Sequence, residues 1–525
     1  MNKKNIILYI LLSFITFTSC SEFLDETPDN RIELDSNEKI RALLTSAYST
    51  SNFIMMTELA SDNIDDFGLE NPNTIRSYDE MAYWEDVAGA GNDDPVSIWG
   101  NAYEAIAHSN QALDAIKQLN DIDLSAEKGE ALITRAYNHF VLVNLFARHY
   151  NSSTSDSDLG IPYLEVPETE LDVKYERESV SQVYAKIEKD ILEALPLIND
   201  AIYQVKTYHF NRSAAFAFAA RFYLYYGNWQ KAAEYATVAL NNGGSLRNWS
   251  FFGTLPREEQ VVANQYITDL DNFLVQTSIS SAGQVFGGFF TGSRFNHTRF
   301  IADNQTLFAP LPWSAATGVT RGSFNFEPFI YTANNLDKSL FYKTPRLFEI
   351  TDPVAGIGFL RTVTVPFTYD EALLIRAEAF TNLGQYDNAL ADINTWSRNF
   401  YSTFPATDVT LTNVNDFYNG LDYSKLTSST GTGINQKKEL SPDFPIRDKD
   451  HENMLHYVLQ SRRVLTLHEG LRWFDIKRYG IEVPRYVYGS DGSISEVDVL
   501  GKSDPRKALQ IPNDVISAGL TPNPR

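Results

Sequence analysis

The chain is poor in cysteine, in positive charge and in strand-like alternation, and each shortage removes a class of function. A single cysteine in 525 residues excludes a disulfide framework within the chain and any multi-cysteine zinc or iron–sulfur site. With 44 Lys+Arg against 67 Asp+Glu the net charge is −23, so the chain would repel a nucleic-acid backbone and no nucleic-acid partner is expected. The eight histidines include no H-E-x-x-H pair: His451-Glu452 meets His456 one residue too late, and His468-Glu469 meets Arg472. No G-x-S-x-G elbow occurs, and Glu496 stands where a phosphate loop ending in Gly501-Lys502-Ser503 needs glycine. Asp156-Ser157-Asp158-Leu159-Gly160 has Gly160 where a calcium loop needs its third ligand and reads as a turn. No catalytic residue, metal site or cofactor is therefore expected. The acids still offer many pairs at the ~5–9.5 Å spacing of glycoside hydrolysis, which leaves a surface glycoside hydrolase as an open alternative.

What the chain has is apolar bulk, at 43% hydrophobic and 13% aromatic residues, enough for a sizeable core. Its longest N-terminal apolar stretch, Ile6 to Phe17, follows Lys3 and Lys4 and ends at Ser19-Cys20. That is short for a spanning helix of ~20 residues but right for a signal peptide over 1–19. Ser19-Cys20 resembles the lipobox of bacterial lipoproteins, which makes Cys20 the expected lipid anchor and the membrane a partner through that anchor. Residues 20–30, with Glu22, Asp25, Glu26, Pro28 and Asp29, read as an extended tether.

Beyond the tether the period is helical. Helices are expected over Asn37 to Ser49, Val96 to Leu119, Ser125 to Phe146, and within Ser179 to Leu197 and Asn211 to Asn241. Trp99, Tyr103, Ile106, Ala107, Asn110 and Leu113 form one mostly apolar stripe of the second. Asn151 to Gly160 is a break. Two segments share the pattern G-x-aromatic-x-x-A: Gly227-Asn228-Trp229-Gln230-Lys231-Ala232 and Gly384-Gln385-Tyr386-Asp387-Asn388-Ala389. Both resemble the turn of a tetratricopeptide hairpin, although they lie too far apart to be consecutive repeats. Between them, Ser245 to Pro345 contains 18 aromatic residues among Gly, Asn, Ser and Pro, and reads as a loop-rich aromatic insertion. Thr407 to Gln436, rich in Gly, Ser and Thr, reads as another loop.

The most specific motif is Arg462-Arg463-Val464-Leu465-Thr466-Leu467-His468-Glu469-Gly470-Leu471-Arg472-Trp473-Phe474-Asp475-Ile476-Lys477-Arg478-Tyr479-Gly480. It resembles the E-R-R-x-E-L-x-x-E-G-x-R-W-x-D-L-x-R-x-G signature of the SusD/RagB family, surface lipoproteins that work with TonB-dependent outer-membrane transporters. Ser461 and Leu465 stand where the family usually has Glu, and Thr466 where it has Leu. The W-x-x-x-Y-x-x-I-x-x-x-N run from Trp99 to Asn110, Arg135-Ala136-Tyr137, Ile161-Pro162-Tyr163, Ile511-Pro512 and Asn523-Pro524 extend the resemblance over nearly the whole mature chain. Physically the signature reads as scaffold: Leu465, Leu467, Trp473, Phe474 and Ile476 can bury, Gly470 can turn, and Arg463, Glu469, Arg472, Asp475 and Arg478 can pair around it.

The expected fold is mainly α, a tetratricopeptide-like helical hairpin scaffold with a loop-rich aromatic insertion. Its expected regions are 31–244 and 346–525 (helical) and 245–345 (the insertion). The resemblance implies an outer-membrane protein that binds a nutrient, an oligosaccharide first and a peptide second, and passes it to a SusC/RagA-like transporter. A helical-repeat adaptor with protein partners alone is the third reading. Aromatic faces stack on sugars while polar groups bond hydroxyls. Candidates of those types are Asn63, Arg76, Tyr78 and Trp84 in one loop stretch and Arg294, Phe295, Trp313 and Arg321 in the other.

Overall fold

The computed structural model describes residues 33–525, except 120, 171–172, 288–292, 315–321, 334–335 and 490. The signal peptide, Cys20, the tether and Arg321 lie outside the described residues. The architecture is mainly helical. We label the longer helices α1 (Asn37–Leu44), α2 (Ile54–Ala60), α3 (Arg76–Ala82), α4 (Pro95–Gln118), α5 (Ser125–Phe146), α6 (Val180–Ala194), α7 (Arg212–Tyr225), α8 (Trp229–Asn241), α9 (Tyr369–Leu383), α10 (Tyr386–Phe400), α11 (Leu411–Asn419), α12 (Lys449–Leu465) and α13 (Arg472–Arg478). The first of these stops short of Ser49. Most of the others begin where the caps dictate: Pro95 occupies the first turn of α4, where no N–H is required. Ser179 and Gln182 form a capping box on α6.

The helical stretch expected within 211–241 is the hairpin that its G-x-aromatic-x-x-A turn marks, with Gly227 at φ +76° between α7 and α8. Gly384 adopts the same φ of 76° between α9 and α10. These two hairpins, remote in sequence, are neighbours in space, for α8 packs directly against α9. The insertion loops out between two stacked repeats, which form one helical array with α4, α5 and α6. The helix α7 is buried from Ser213 to Tyr225, so it lies at the centre of the array, where an amphipathic pattern would have no use. Its one buried cation, Arg221, is clamped by both carboxylate oxygens of Glu371 on α9, at 3.1 and 2.8 Å.

The insertion is more ordered than a loop. It carries short helices at Trp249–Phe252, Glu259–Thr268, Ala282–Val285 and Arg299–Asn304, together with four strands. In chain order the strands of the protein are β1 (Asp65–Asp66), β2 (Asn272–Ile279), β3 (Phe295–Asn296), β4 (Phe329–Ala333), β5 (Leu336–Leu340), β6 (Leu347–Asp352), β7 (Ile357–Thr368), β8 (Val483–Tyr488) and β9 (Ile494–Leu500). They form sheets of order β3-β1-β8-β9, β2-β7-β6 and β4-β5. Many of the insertion's aromatic residues join the main core: Trp249 packs edge-on to Phe400 of α10 at 5.0 Å, and Phe324 to the same ring at 5.2 Å. The stretch 407–436 likewise contains α11, nucleated by a capping box between Thr410 and Asn413 that its polar composition concealed. No helix among the described residues is long and apolar enough to cross a membrane.

The signature segment forms the end of α12, a turn, and α13, and all of it except the half-buried Glu469 is buried. Its charges pair mostly with remote elements. Arg462 faces Glu378 at 3.0 Å and Asp475 at 3.5 Å, and Arg478 reaches Glu378 at 2.6 Å and Asp475 at 2.5 Å. Glu469 accepts from Tyr266 Oη at 2.7 Å and lies 3.3 Å from Lys343. Gly470, at φ +79°, donates its N–H to Glu58 Oε1 at 2.8 Å.

Candidate functional site

The two loop stretches singled out in the sequence meet. Asp65 and Asp66 of β1 pair antiparallel with Asn296 and Phe295 of β3, and Asp66 also pairs in parallel with Val487 of β8. Arg294 locks the junction. Its Nε and Nη2 donate to the two oxygens of Asp66 at 2.6 Å each, and its Nη1 reaches Asp79 of α3 at 3.1 Å. Tyr83 Oη donates to Asp66 at 2.6 Å. Burial raises the Tyr83 hydroxyl pKa, and the adjacent Asp66 carboxylate raises it further. The neighbouring Asp65 carboxyl is pushed up by burial to about 7, against the pull of its hydrogen bond from Thr298.

Of the expected contact residues, Asn63, Trp84, Arg294 and Phe295 are buried at or beside this junction and Trp313 is buried elsewhere in the core. Trp84 is 2% exposed: its indole N–H donates to the Ala60 carbonyl at 2.7 Å, and Arg485 stacks on its ring at 5.0 Å. Trp313 is also 2% exposed, edge-packed on Tyr401 at 5.3 Å and Phe404 at 5.0 Å. Asn63 is buried, donating to Glu58 Oε2 at 3.0 Å and accepting from Arg463 Nε at 2.9 Å. Phe295 is buried beneath Arg294, whose guanidinium lies 5.0 Å above its ring. Large aromatic rings in irregular stretches gain more from core packing than from waiting in water, which is why composition alone misplaced them. Arg76 remains at the surface, paired with Glu80 at 2.6 Å, and Tyr78 is half-buried with its hydroxyl 2.9 Å from that of Ser281.

What the junction displays is a different set of rings. Phe67, Tyr488 and Phe300 are half-buried, with Tyr488 6.0 Å from Phe67 at 43° between the ring planes and 5.8 Å from Phe300 at 68°. Phe67 directly follows β1, Tyr488 ends β8, and Phe300 opens the short helix after β3, so one sheet sets all three. The loop beside them turns at Gly68, φ +78°, and is braced by Asn71, whose side-chain oxygen accepts from Asn73 N–H at 3.0 Å. This ledge offers apolar faces beside amide and charged groups. No sequence period could reveal it, since its members come from positions 67, 300 and 488.

A second concavity lies between α4, residues 162–168 and 173–176, and the C-terminal residues. Trp99 and Tyr103, 5.0 Å apart, contribute to its wall with Leu164 and Leu520, and Tyr175 and Lys174 stand at its edge. Both rings belong to the stripe that the sequence assigned to the helix core. Tyr103 Oη donates to the Pro162 carbonyl at 2.8 Å. Among the described residues no group of three or more His, Cys, Asp or Glu is placed to hold a metal ion.

Residues 22–224 match a family model described as SusD-like, starch-binding associating with outer membrane. Along its whole length the chain is 24% identical to SusD-like protein P2 of Formosa agariphila, covering 99% of that protein. In fold it is similar to a SusD superfamily protein of Bacteroides thetaiotaomicron, with TM-score 0.62 and 18% identity over 93% of this chain and 99% of that one. A putative sugar-binding protein of Bacteroides vulgatus gives TM-score 0.64 and 17% identity over 94% and 99%.

Proposed function

We propose that this chain, which is similar to SusD-like proteins, binds carbohydrate at the bacterial outer membrane and, without catalysing a reaction, delivers an oligosaccharide to a SusC-like TonB-dependent transporter. The observation that carries the ligand class is the ledge of Phe67, Tyr488 and Phe300. Half-exposed aromatic rings can contact the C–H faces of a sugar, and they lose little side-chain entropy on binding. Asp66, Asp79, Tyr83 and Arg294 brace the ledge, because their mutual bonds tie β1 and α3 to the start of β3, more than 200 residues away in sequence. In this reading Cys20 carries the lipid, and the acidic tether lets the body move relative to the membrane. Loading and release follow from differential affinity of the ligand for a free and a transporter-capped state.

The test is glycan-array binding with the lipid-free protein, repeated for Phe67→Ala, Tyr488→Ala and Trp99→Ala. Loss in the first two variants alone places the saccharide on the ledge. Loss in Trp99→Ala alone moves it to the second concavity. Hydrolysis products in the same incubations, or binding of peptides and no glycan, would reject the reading. A pull-down from detergent-solubilised outer membranes that recovers no TonB-dependent barrel would reject the delivery step.

A further inference from the structure

The loop that abuts the ledge from the C-terminal half of the chain is rich in hydroxyl groups. Thr427-Ser428-Ser429-Thr430-Gly431-Thr432 carries five in six residues, and no charged residue occurs from Leu426 to Gln436. Backbone bonds fix its shape. Thr427 N–H donates to the Thr432 carbonyl at 2.9 Å, and Ile494 N–H of β9 donates to the Ser429 carbonyl at 2.8 Å. Ile494 stands directly across from Tyr488 in the β8–β9 register. Gly431, at φ +84°, lies so close to Phe300 that a Cβ there would sit 2.3 Å from the edge of the ring. Ile434, Tyr486 and Ile494 form a small core apart from the main one, and Phe300 and Tyr488 pack against it. The loop and two of the three ledge rings therefore form one structural unit.

Three of these hydroxyls converge. Ser428 Oγ lies 2.8 Å from both Thr430 Oγ1 and Thr432 Oγ1, which are themselves 3.3 Å apart. Thr430 and Thr432 are exposed and Ser428 is half-buried. A hydroxyl has one hydrogen to donate and two lone pairs with which to accept. Three hydroxyls closed into a ring spend every hydrogen inside it and keep one lone pair each. Ser428 Oγ uses its remaining capacity on the N–H groups of Thr430 and Thr432, at 3.3 and 3.4 Å. Thr430 and Thr432 are thus left with acceptors and no free donor. A sugar O–H, which donates, extends such a chain of hydrogen bonds. A carboxylate or sulfate, which only accepts, would have to break it. The net charge of −23 disfavours anions further, and Arg299, beside Phe300, is paired with Asp303 at 3.1 Å. We infer, resting on the saccharide reading of the ledge, that Ser428, Thr430 and Thr432 are the polar wall of that site. They accept hydrogen bonds from sugar hydroxyls and select neutral oligosaccharides over uronate-bearing or sulfated ones.

The test uses the lipid-free protein on a glycan array that carries neutral oligosaccharides beside uronate-bearing and sulfated ones, with affinities then measured by calorimetry. Wild type should favour neutral glycans by at least about tenfold. The double variant Thr430→Val/Thr432→Val, which removes two hydroxyls and keeps their shape, should lower neutral affinity by about tenfold. Thr430→Ser/Thr432→Ser, which keeps the hydroxyls, should bind as wild type does. Neutral binding that falls in Phe67→Ala and Tyr488→Ala but is unchanged in the valine variant overturns the hydroxyl wall and leaves the ledge standing. Binding of uronate-bearing or sulfated glycans alone, or equally with neutral ones, overturns the selectivity while carbohydrate binding survives. A loss in the serine variant as large as in the valine variant assigns the effect to the methyl groups and overturns the hydroxyl wall as well. Binding of no glycan at all overturns this inference together with the saccharide reading beneath it.

Discussion

Arg472 grips both carboxylate oxygens of Asp62, at 2.8 and 2.9 Å, across 410 residues of sequence. The pair ties the signature helix α13 to the chain just ahead of β1, so the family signature and the candidate site share one buried charge. Burial opposes ionisation of Asp62, yet Arg463 and Arg472 hold it well below the usual carboxylate range. Asp62→Asn leaves two buried guanidinium groups short of their counter-ion and should cost about 3–5 kcal/mol. Arg76→Ala, which removes an exposed partner of Glu80, should cost less than about 1 kcal/mol. Urea unfolding of the two variants checks the contrast, and equal costs would refute it.

Gly227 and Gly470 have nearly the same φ, +76° and +79°, in very different surroundings. A Cβ on Gly227 meets nothing within 4 Å, whereas one on Gly470 would lie 2.4 Å from Thr57 Oγ1 and 3.0 Å from the Phe53 ring. Gly227→Ala should therefore cost about 1 kcal/mol, from backbone strain alone. Gly470→Ala should cost about 1–3 kcal/mol more, because the contact adds overpacking. Denaturant midpoints measured side by side decide this.

Phe67→Ala and Tyr488→Ala should each weaken saccharide binding by about tenfold, the scale of ~1–1.5 kcal/mol for one aromatic contact. Trp313→Ala should behave oppositely, destabilising the fold by about 3–5 kcal/mol because that ring is core. Its binding should match wild type wherever the variant is folded. Calorimetry with a glycan found on the array, paired with thermal melts, separates the two outcomes.

His139 is fixed as one neutral tautomer: Nδ1–H donates to the Arg135 carbonyl at 2.9 Å and Nε2 accepts the Leu164 N–H at 3.1 Å. Burial lowers it to about 3, with Arg135 and Lys186 contributing to the same side. The unfolded chain takes up this proton near pH ~6.5 and the folded chain does not. Its contribution is thus complete above that pH and declines by roughly 1.4 kcal/mol per unit as pH falls towards about 3. Glu58 and Asp65, raised to about 7 by burial, act with the opposite sign between their unfolded values and pH 7. His139→Gln should consequently lose less stability than wild type between pH 7.5 and 5. Identical losses in urea midpoints would disprove the assignment.

Long helices were legible because their signal is local. The period of Val96 to Leu119 and Ser125 to Phe146 yielded α4 and α5 within a residue or so, and the two G-x-aromatic-x-x-A turns marked both hairpins. The signature pointed to SusD-like proteins through its order of residue types, and its burial was legible in the number of apolar side chains it holds. The ledge was not legible, nor was the β3-β1-β8-β9 sheet, in which the two residues of β1 have no period to detect.

The sequence by itself thus determined the helical scaffold, its turns and its family signature, since hydrogen bonds within a helix and the strain of a turn depend on residues a few positions apart. Only the tertiary structure decided that α8 lies against α9, that Trp84 and Trp313 are buried while Phe67 and Tyr488 are half-buried, and that Asp62 meets Arg472. Those choices are made by competition for buried volume and counter-charge among segments hundreds of residues apart, and that competition is resolved when the core closes.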